Sequence, residues 1–201
     1  MKRIALALLL SCSALVLAAQ DGVKVIFKGD RPTISDFVST FIPASTDDEE
    51  YNEPLAALTE AWERHQKGLP QKEGETLTVD QRNGFVLFES KDEGSLLRIE
   101  MCYWNQSDGK HKLFAYNVGC YSDGVYAQGQ YDGLTFWRYD NASKTMAWVD
   151  APGFDVEYYT DDDELVSYAL PRTGKDIVVT YWKDGAKKQK TLKWDGRLFS
   201  F

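Results

Sequence analysis

The stretch MCYWNQSDGKHKLFAYNVGCYSDG (101–124) decides the fold, because a tight-turn dipeptide separates two runs of alternating apolar residues. The dipeptide is Asp108-Gly109, and such a turn between such runs predicts a β-hairpin with a two-residue loop. Facing residues of a hairpin point to the same side of the sheet. The register therefore predicts one apolar face, formed by Leu97 with Cys120, Ile99 with Val118, Met101 with Tyr116 and Tyr103 with Phe114.

The same register separates the two cysteines of the hairpin. Cys102 and Cys120 fall on opposite faces, about 16 Å apart along the strands, whereas a disulfide needs Cα atoms within about 4.4–6.8 Å. An oxidising compartment favours a disulfide, but the register favours two free thiols, and free thiols are our prediction. His111 beside the turn completes no four-ligand metal set with them. We expect neither a metal site nor another cofactor.

The first residues predict a secretory signal peptide over 1–19. Lys2 and Arg3 precede an apolar run, and the small residues Ala18 and Ala19 end it, as in cleavable export signals. We expect cleavage after Ala19 and a periplasmic or extracellular location. Cys12 offers a rival interpretation as the lipid-modified cysteine of a lipoprotein, which the apolar residues that follow it disfavour.

The charge of the chain restricts its partners. The formal net charge is −8, and loss of the basic signal residues makes the exported form more acidic still. Nucleic acids and anionic membranes repel such a surface. No later apolar stretch has the roughly 20 residues of a membrane span. We predict no nucleic-acid binding and no membrane insertion after signal cleavage.

Residues 20–72 predict a strand followed by two helices. Thr33 and Asp36 are placed as a capping pair for the first helix, with Asp30 before Pro32 as the alternative cap. Gly68 is placed as a left-handed stop for the second helix. Apolar residues at helical spacing define both helices. The expected elements are a strand over 23–27 and helices over 33–42 and 53–67.

Residues 73–201 predict an antiparallel β domain, because short β-branched and aromatic runs alternate with Asp-Gly or Asn-Gly turns. The fold class is therefore α+β and mainly β, with a short helical segment before an antiparallel meander closed as a barrel or a sandwich. The alternative to two separate parts, 20–72 and 73–201, is that residues 20–201 form one integrated domain. The expected strands are 76–81, 85–90, 95–104, 112–120, 134–139, 145–149, 155–159, 165–170, 176–182, 187–194 and 197–200.

Exposed aromatic rings are the candidate binding residues. Phe136-Trp137-Arg138-Tyr139 and Tyr181-Trp182 carry rings on both parities of a strand, and Trp104 falls on the hairpin face opposite the apolar one. Such a strand is buried on both faces or exposes a ring, and exposed rings stack on sugars or anchor partners. The predicted ligand-binding residues are Trp104, Trp137, Tyr139 and Trp182.

Specific catalytic motifs are missing from the sequence. It contains no G-x-S-x-G, H-E-x-x-H, P-loop or dinucleotide motif. Carboxylates such as Glu100, Asp140, Asp150, Asp155 and Glu157 could serve a carboxylate-dependent hydrolase. The acidic runs 47–50 and 161–164 lack the spacing of a calcium loop. We expect a non-enzymatic binding module for a glycan, peptide or envelope protein, with the hydrolase or an envelope inhibitor or assembly protein as alternatives.

Three segments carry a resemblance to small, uncharacterised secreted proteins of anaerobic gut bacteria. They are CYWNQSDGKHKL (102–113), GQYDGLTFWRYD (129–140) and ALPRTGKD…KKQKTLKWDGRLF (169–199). The chain resembles these proteins mostly over its β-rich part. The resemblance implies a bacterial periplasmic or surface location and no particular activity.

Overall fold

The computed structural model describes residues 22–46, 52–156, 165–183 and 186–201. Several predictions fall outside these ranges. They concern the signal peptide over 1–19 with Cys12, the acidic runs 47–50 and 161–164, and the larger part of the strand expected over 155–159.

The described elements, in chain order, are β1 (Val23–Lys24), α1 (Ile34–Thr46), α2 (Glu53–Gln66), β2 (Glu75–Asp80), β3 (Phe85–Asp92), β4 (Ser95–Asn105), β5 (His111–Ser122), β6 (Val125–Tyr126), β7 (Gly133–Asp140), β8 (Thr145–Val149), β9 (Leu165–Ala169), β10 (Ile177–Lys183), β11 (Ala186–Trp194) and β12 (Phe199–Ser200).

These strands form two antiparallel sheets. The large sheet has the order β1-β8-β7-β5-β4-β3-β2, with β6 paired to β5, and the small sheet has the order β12-β11-β10-β9. The predicted mainly β, antiparallel fold is confirmed. Neither sheet closes on itself within the described ranges, so the alternative of a closed barrel is not found there.

The β4–β5 hairpin has the register predicted from its turn, but the predicted two-residue loop is wrong, because residues 106–110 separate the two strands. All four predicted pairs are present, from Leu97 with Cys120 to Tyr103 with Phe114. Gly109 of the turn has φ +67°, a backbone conformation that glycine adopts without steric cost. The register prediction is confirmed, and it assigns every residue of the hairpin to one of the two sheet faces.

The two helices cover one face of the large sheet. Phe37 and Phe41 of α1 are buried, and their ring centroids lie 5.9 and 5.5 Å from that of Phe114 in β5. Trp62 of α2 donates its indole N–H to Ser39 Oγ of α1 at 3.0 Å. The helices thus share one hydrophobic cluster with the sheet.

The ends of the helices follow the sequence signals in part. Thr33 N–H donates to Asp36 Oδ2 at 2.7 Å, which confirms the capping pair. Gly68 has φ +65° just after α2, as predicted. The predicted end of α1 at residue 42 is wrong, because the helix continues through Pro43 to residue 46. Pro43 is exposed, so its ring meets solvent and the helix loses one backbone hydrogen bond.

The small sheet lies against the other face of the large sheet. Trp104 and Phe136 of the large sheet belong to a buried cluster with Ile177 and Phe199 of the small one. The indole N–H of Trp104 donates to the carbonyl of Lys175 at 2.8 Å. The large sheet is therefore buried on both faces, by helices on one side and by strands on the other.

A buried carboxylate ties the two sheets together. Glu100 is 1 % exposed and lies on the face of β4 that meets the small sheet. Its Oε1 accepts from Arg98 Nη2 at 2.7 Å, and its Oε2 accepts from the backbone N–H of Leu170 at 2.8 Å. Asn117 Nδ2 donates to Glu100 Oε2 at 3.3 Å and to the Tyr168 carbonyl at 2.9 Å. The carboxylate thus satisfies a backbone donor that would otherwise be buried without a partner.

Replacing this carboxylate is expected to destabilise the protein. Glu100→Ala leaves the Leu170 N–H and part of the Arg98 guanidinium unpaired, which typically costs about 2–4 kcal/mol. Glu89→Ala is the control, because Glu89 is the outer partner of Arg98 at 3.6 Å, and an exposed pair contributes about 0–1 kcal/mol. Urea denaturation measures both, and equal losses in the two variants would contradict this role for Glu100.

Candidate functional site

A cavity of about 390 Å³ opens between α1, the start of α2 and strands β5, β7 and β8. Five aromatic side chains line it, and among the described lining residues it contains one charged group. The aromatic residues are Phe41, Tyr116, Tyr131, Trp137 and Trp148, and the polar ones are Ser45, Asn52, Gln130, Asp132 and Thr135. We call this the aromatic cavity.

Two tryptophans form one wall of the aromatic cavity. Trp137 of β7 and Trp148 of β8 are directly opposed in the sheet register, so both rings lie on the helix-covered face. Trp148 is 50 % exposed, while Trp137 is partly buried and meets the ring of Phe41 edge-on at 5.8 Å. This wall therefore places the partly buried ring of Trp137 beside the exposed ring of Trp148.

Two polar atoms of the aromatic cavity have no hydrogen-bond partner among the described residues. They are Tyr116 Oη and Asp132 Oδ1, and each residue is only 8 % exposed. An unpaired buried polar atom costs about 1–3 kcal/mol. Tyr116 and Asp132 thus keep unused hydrogen-bonding capacity beside the cavity, and the Asp132 side chain also hydrogen-bonds to those of Cys120 and Tyr126.

A tight turn positions Asp132 before β7. Its N–H donates to the Gly129 carbonyl at 3.3 Å, and its Oδ2 accepts from the backbone N–H of Cys120 at 2.8 Å. A Cβ atom at Gly129 would lie 3.0 Å from Asp132 Oδ1 and 3.2 Å from Cys120 Sγ. Glycine at this position therefore leaves the space in which the carboxylate sits.

The surroundings of Asp132 keep its neighbours protonated. Burial, and then the Asp132 carboxylate, raise the pKa of Cys120 to about 12. The same two causes raise the pKa of Tyr116 and of Tyr126 well above the usual range of a phenol. At neutral pH these groups are neutral, so Tyr116 is available as a hydroxyl and Cys120 is not a nucleophilic thiolate.

The four predicted ligand-binding residues lie in different parts of the structure. Trp137 lies in the aromatic cavity. The expected exposure of Trp104 and Tyr139 is wrong, because they are 5 % and 1 % exposed. The small sheet buries Trp104, and α1 buries Tyr139, whose ring lies 5.3 Å from that of Phe37. Trp182 lies outside the aromatic cavity and stacks on Tyr126 with centroids 5.4 Å apart.

Sequence reasoning missed the residues that complete the aromatic cavity. Trp148 lies in a correctly predicted strand, but its position opposite Trp137 depends on the register of β7 with β8, which was not predicted. Asp132 belongs to the quoted GQYDG segment, where it resembles any other acidic turn residue. Tyr116 lies on the sheet face predicted for it. Phe41 reaches the cavity because α1 packs on that face, and the sequence alone does not show this packing.

The remaining candidates lie elsewhere. Cys102 and Cys120 are both free thiols, the first buried against the small sheet and the second beside Asp132. Glu100 joins the two sheets, and Asp140 Oδ1 accepts backbone N–H groups in the turn that follows β7. Within the ranges that the structure describes, no group of three or more metal-ligating side chains comes together.

His111 links two hairpins through a pair of carboxylates. Its Nδ1 lies 2.6 Å from Asp108 Oδ2, and its Nε2 lies 3.1 Å from Asp140 Oδ2. The ring thus forms a structural contact between the β4–β5 and β7–β8 turns.

No known protein family, curated protein or solved structure matches this chain. None of the helices in the described ranges combines the length and the apolar character required to cross a membrane.

The His111 contact predicts a loss of stability in acid. Hydrogen bonding to His111 is the main cause that lowers the pKa of Asp108 to about 2. A carboxyl with a lower pKa in the folded state stabilises the fold above its unfolded pKa, and this contribution disappears as the pH falls through the folded value. We expect Asp108→Asn to lower the free energy of unfolding at pH 7, with the difference from wild type shrinking between about pH 4 and pH 2.

Urea denaturation at several pH values measures this effect. Asp92→Asn is the control, because it makes the same charge change at an exposed site at the end of β3, opposite the start of β4. A difference between Asp108→Asn and wild type that is constant from pH 7 to pH 2 would contradict the assignment.

Proposed function

We propose that this protein is a secreted or periplasmic binding module that holds a glycan in the aromatic cavity. The observation that carries the proposal is the pair Trp137 and Trp148 beside two unpartnered polar atoms, Tyr116 Oη and Asp132 Oδ1. We further interpret the two facing sheets as a sandwich, whose helix-covered side presents the cavity.

A sugar ring matches this combination of groups. It has an apolar face of C–H groups that can pack on an indole ring, and its edge carries hydroxyls that both donate and accept hydrogen bonds. A hydroxyl donor would satisfy Asp132 Oδ1, and a second hydroxyl would pair with Tyr116. The volume of about 390 Å³ is within the usual range of small-molecule sites.

Binding has more support than hydrolysis. Glycosidases generally use two carboxyl groups that flank the scissile bond. Asp132 is the one acid among the described residues that line the cavity. Of the other candidate acids, Glu100 and Asp140 are engaged in structural contacts, and Asp150 and Asp155 line a neighbouring cavity. We therefore propose recognition without turnover, by a module that needs no cofactor.

The proposal agrees with the export signal. The predicted signal peptide would place the protein in the periplasm or outside the cell, where glycans of the envelope and of the surroundings are available. The net charge of −8 favours neutral or cationic ligands over anionic polymers.

Removing the exposed ring tests the proposal. Trp148→Ala should weaken glycan binding by roughly 5- to 30-fold, because a stacked aromatic ring typically contributes about 1–2 kcal/mol. The ring is 50 % exposed, so the fold should tolerate its loss. Thermal shift of residues 20–201 against a glycan panel identifies the ligand, since a ligand at 100 times its Kd stabilises the fold by about 2.7 kcal/mol.

Trp182→Ala is the matched control, because it removes a tryptophan that packs on Tyr126 outside the cavity. Trp182→Ala should bind the glycan with wild-type affinity. Equal weakening in both variants would refute the assignment of the site, and no shift across the panel would favour a peptide or an envelope protein as the ligand.

Asp132→Asn separates hydroxyl recognition from ring stacking alone. The amide keeps the shape of the side chain and removes the charge that a sugar hydroxyl would donate to. Hydrogen bonds to charged groups contribute about 1.5–3 kcal/mol, so we expect an affinity loss of at least roughly 10-fold. Isothermal titration calorimetry measures it, and unchanged affinity would show that Asp132 contacts no ligand group.

A further inference from the structure

A second cavity, of about 410 Å³, lies near the other end of α1. It is formed by the loop before α1, the tip of the β4–β5 hairpin and the turn between β7 and β8. Three basic side chains line it, Arg31, Lys112 and Lys144, together with His111. We call it the basic cavity.

The charges of the basic cavity do not balance. Asp30 is the one acidic residue among its described lining residues. The ring nitrogens of His111 lie 2.6 Å from Asp108 Oδ2 and 3.1 Å from Asp140 Oδ2. Three lysine and arginine charges therefore face one carboxylate, in a chain whose net charge is −8.

Lys112 is the strongest indication of a missing anion. It is 7 % exposed. Its ammonium donates to Asn105 Oδ1 and lies 4.9 Å from the centroid of the Tyr103 ring. None of the described carboxylates forms an ion pair with it, although a buried ammonium is costly without one. An ammonium has three N–H donors, so the Asn105 contact leaves others available.

A second cation adds to this imbalance. Burial is the main cause that lowers the pKa of Lys112, and the Arg31 charge lowers it further. The guanidinium of Arg31 forms no ion pair with any described residue. Two cations thus lie close together in a partly enclosed space, and an anion between them would relieve both the repulsion and the desolvation.

Lys144 reaches the basic cavity from an unfavourable backbone conformation. Its φ of +59° is one that glycine or asparagine adopts more readily than lysine. Its ammonium lies 5.2 Å from the centroid of the Phe27 ring. Its charge adds to those of Arg31 and Lys112 in the same lining.

We propose that the basic cavity is an anion-binding site for an oxyanion group such as phosphate or sulfate, held by Arg31, Lys112 and Lys144. The planar guanidinium offers paired donors to two oxygens, and the ammonium groups supply point charges and further donors. The site is separate from the aromatic cavity and does not depend on its ligand.

Nuclear magnetic resonance titration tests the site with inorganic anions. Sodium phosphate, sulfate and acetate are added to the 15N-labelled protein while sodium chloride keeps the ionic strength constant. We expect saturable shifts of the backbone amides of Gly109 and Asn141, which line the cavity, with phosphate or sulfate binding more tightly than acetate. Tighter binding of acetate would overturn the preference for a tetrahedral oxyanion.

Two variants locate the anion. Arg31→Met alters an exposed loop residue and should not disturb folding, and Lys112→Met replaces a buried charge by an apolar chain of similar length. Each should weaken binding at least tenfold. Lys193→Met is the control, because it removes one exposed positive charge from the small sheet. Wild-type affinity in Arg31→Met, equal loss in the control, or non-saturable shifts in the wild type would each overturn the proposal.

Discussion

The pairing of β4 with β5 determines where every other layer of the molecule lies, because both faces of this hairpin are buried. One face carries Met101 and Phe114 against the helices, and the other carries Trp104 and Ala115 against the small sheet. A slip of one residue would exchange the two sets. The Asp-Gly turn prevents that slip, so a local feature of the backbone selects the arrangement of the core.

The functional consequence is that the helix layer only partly covers its face of the large sheet. The rings of Phe37 and Tyr139 fill the middle of this interface, 5.3 Å apart. The aromatic cavity lies near the end of α1 and the start of α2, and the basic cavity near the beginning of α1. The same helix that completes the core therefore borders two chemically different openings.

The sequence predicted local structure better than it predicted the site. Turn dipeptides and apolar alternation were sufficient for the register of β4 with β5 and for the capping of α1, since both depend on residues close in the chain. Trp104 and Trp137 look alike by these criteria. Their difference arises because the small sheet covers one face and the helices incompletely cover the other, which is a property of tertiary packing.

The polar part of the aromatic cavity was beyond sequence reasoning for a similar reason. Asp132 stands in a turn, where an acidic residue is usually solvated. Its burial follows from the neighbouring strand β5, because Cys120 supplies the N–H that holds one carboxylate oxygen. The burial of this carboxylate becomes visible only when β5 and the turn before β7 are placed side by side.

The central claim is that the aromatic cavity binds a glycan, and the indole N–H resonances test it most directly. The chain has six tryptophans, which give separate reporters in one spectrum. Titration with the glycan identified by thermal shift should move the signals of Trp137 and Trp148 and leave those of Trp62, Trp104, Trp182 and Trp194 in place. Shifts confined to any of those four, with Trp137 and Trp148 unchanged, would contradict the account.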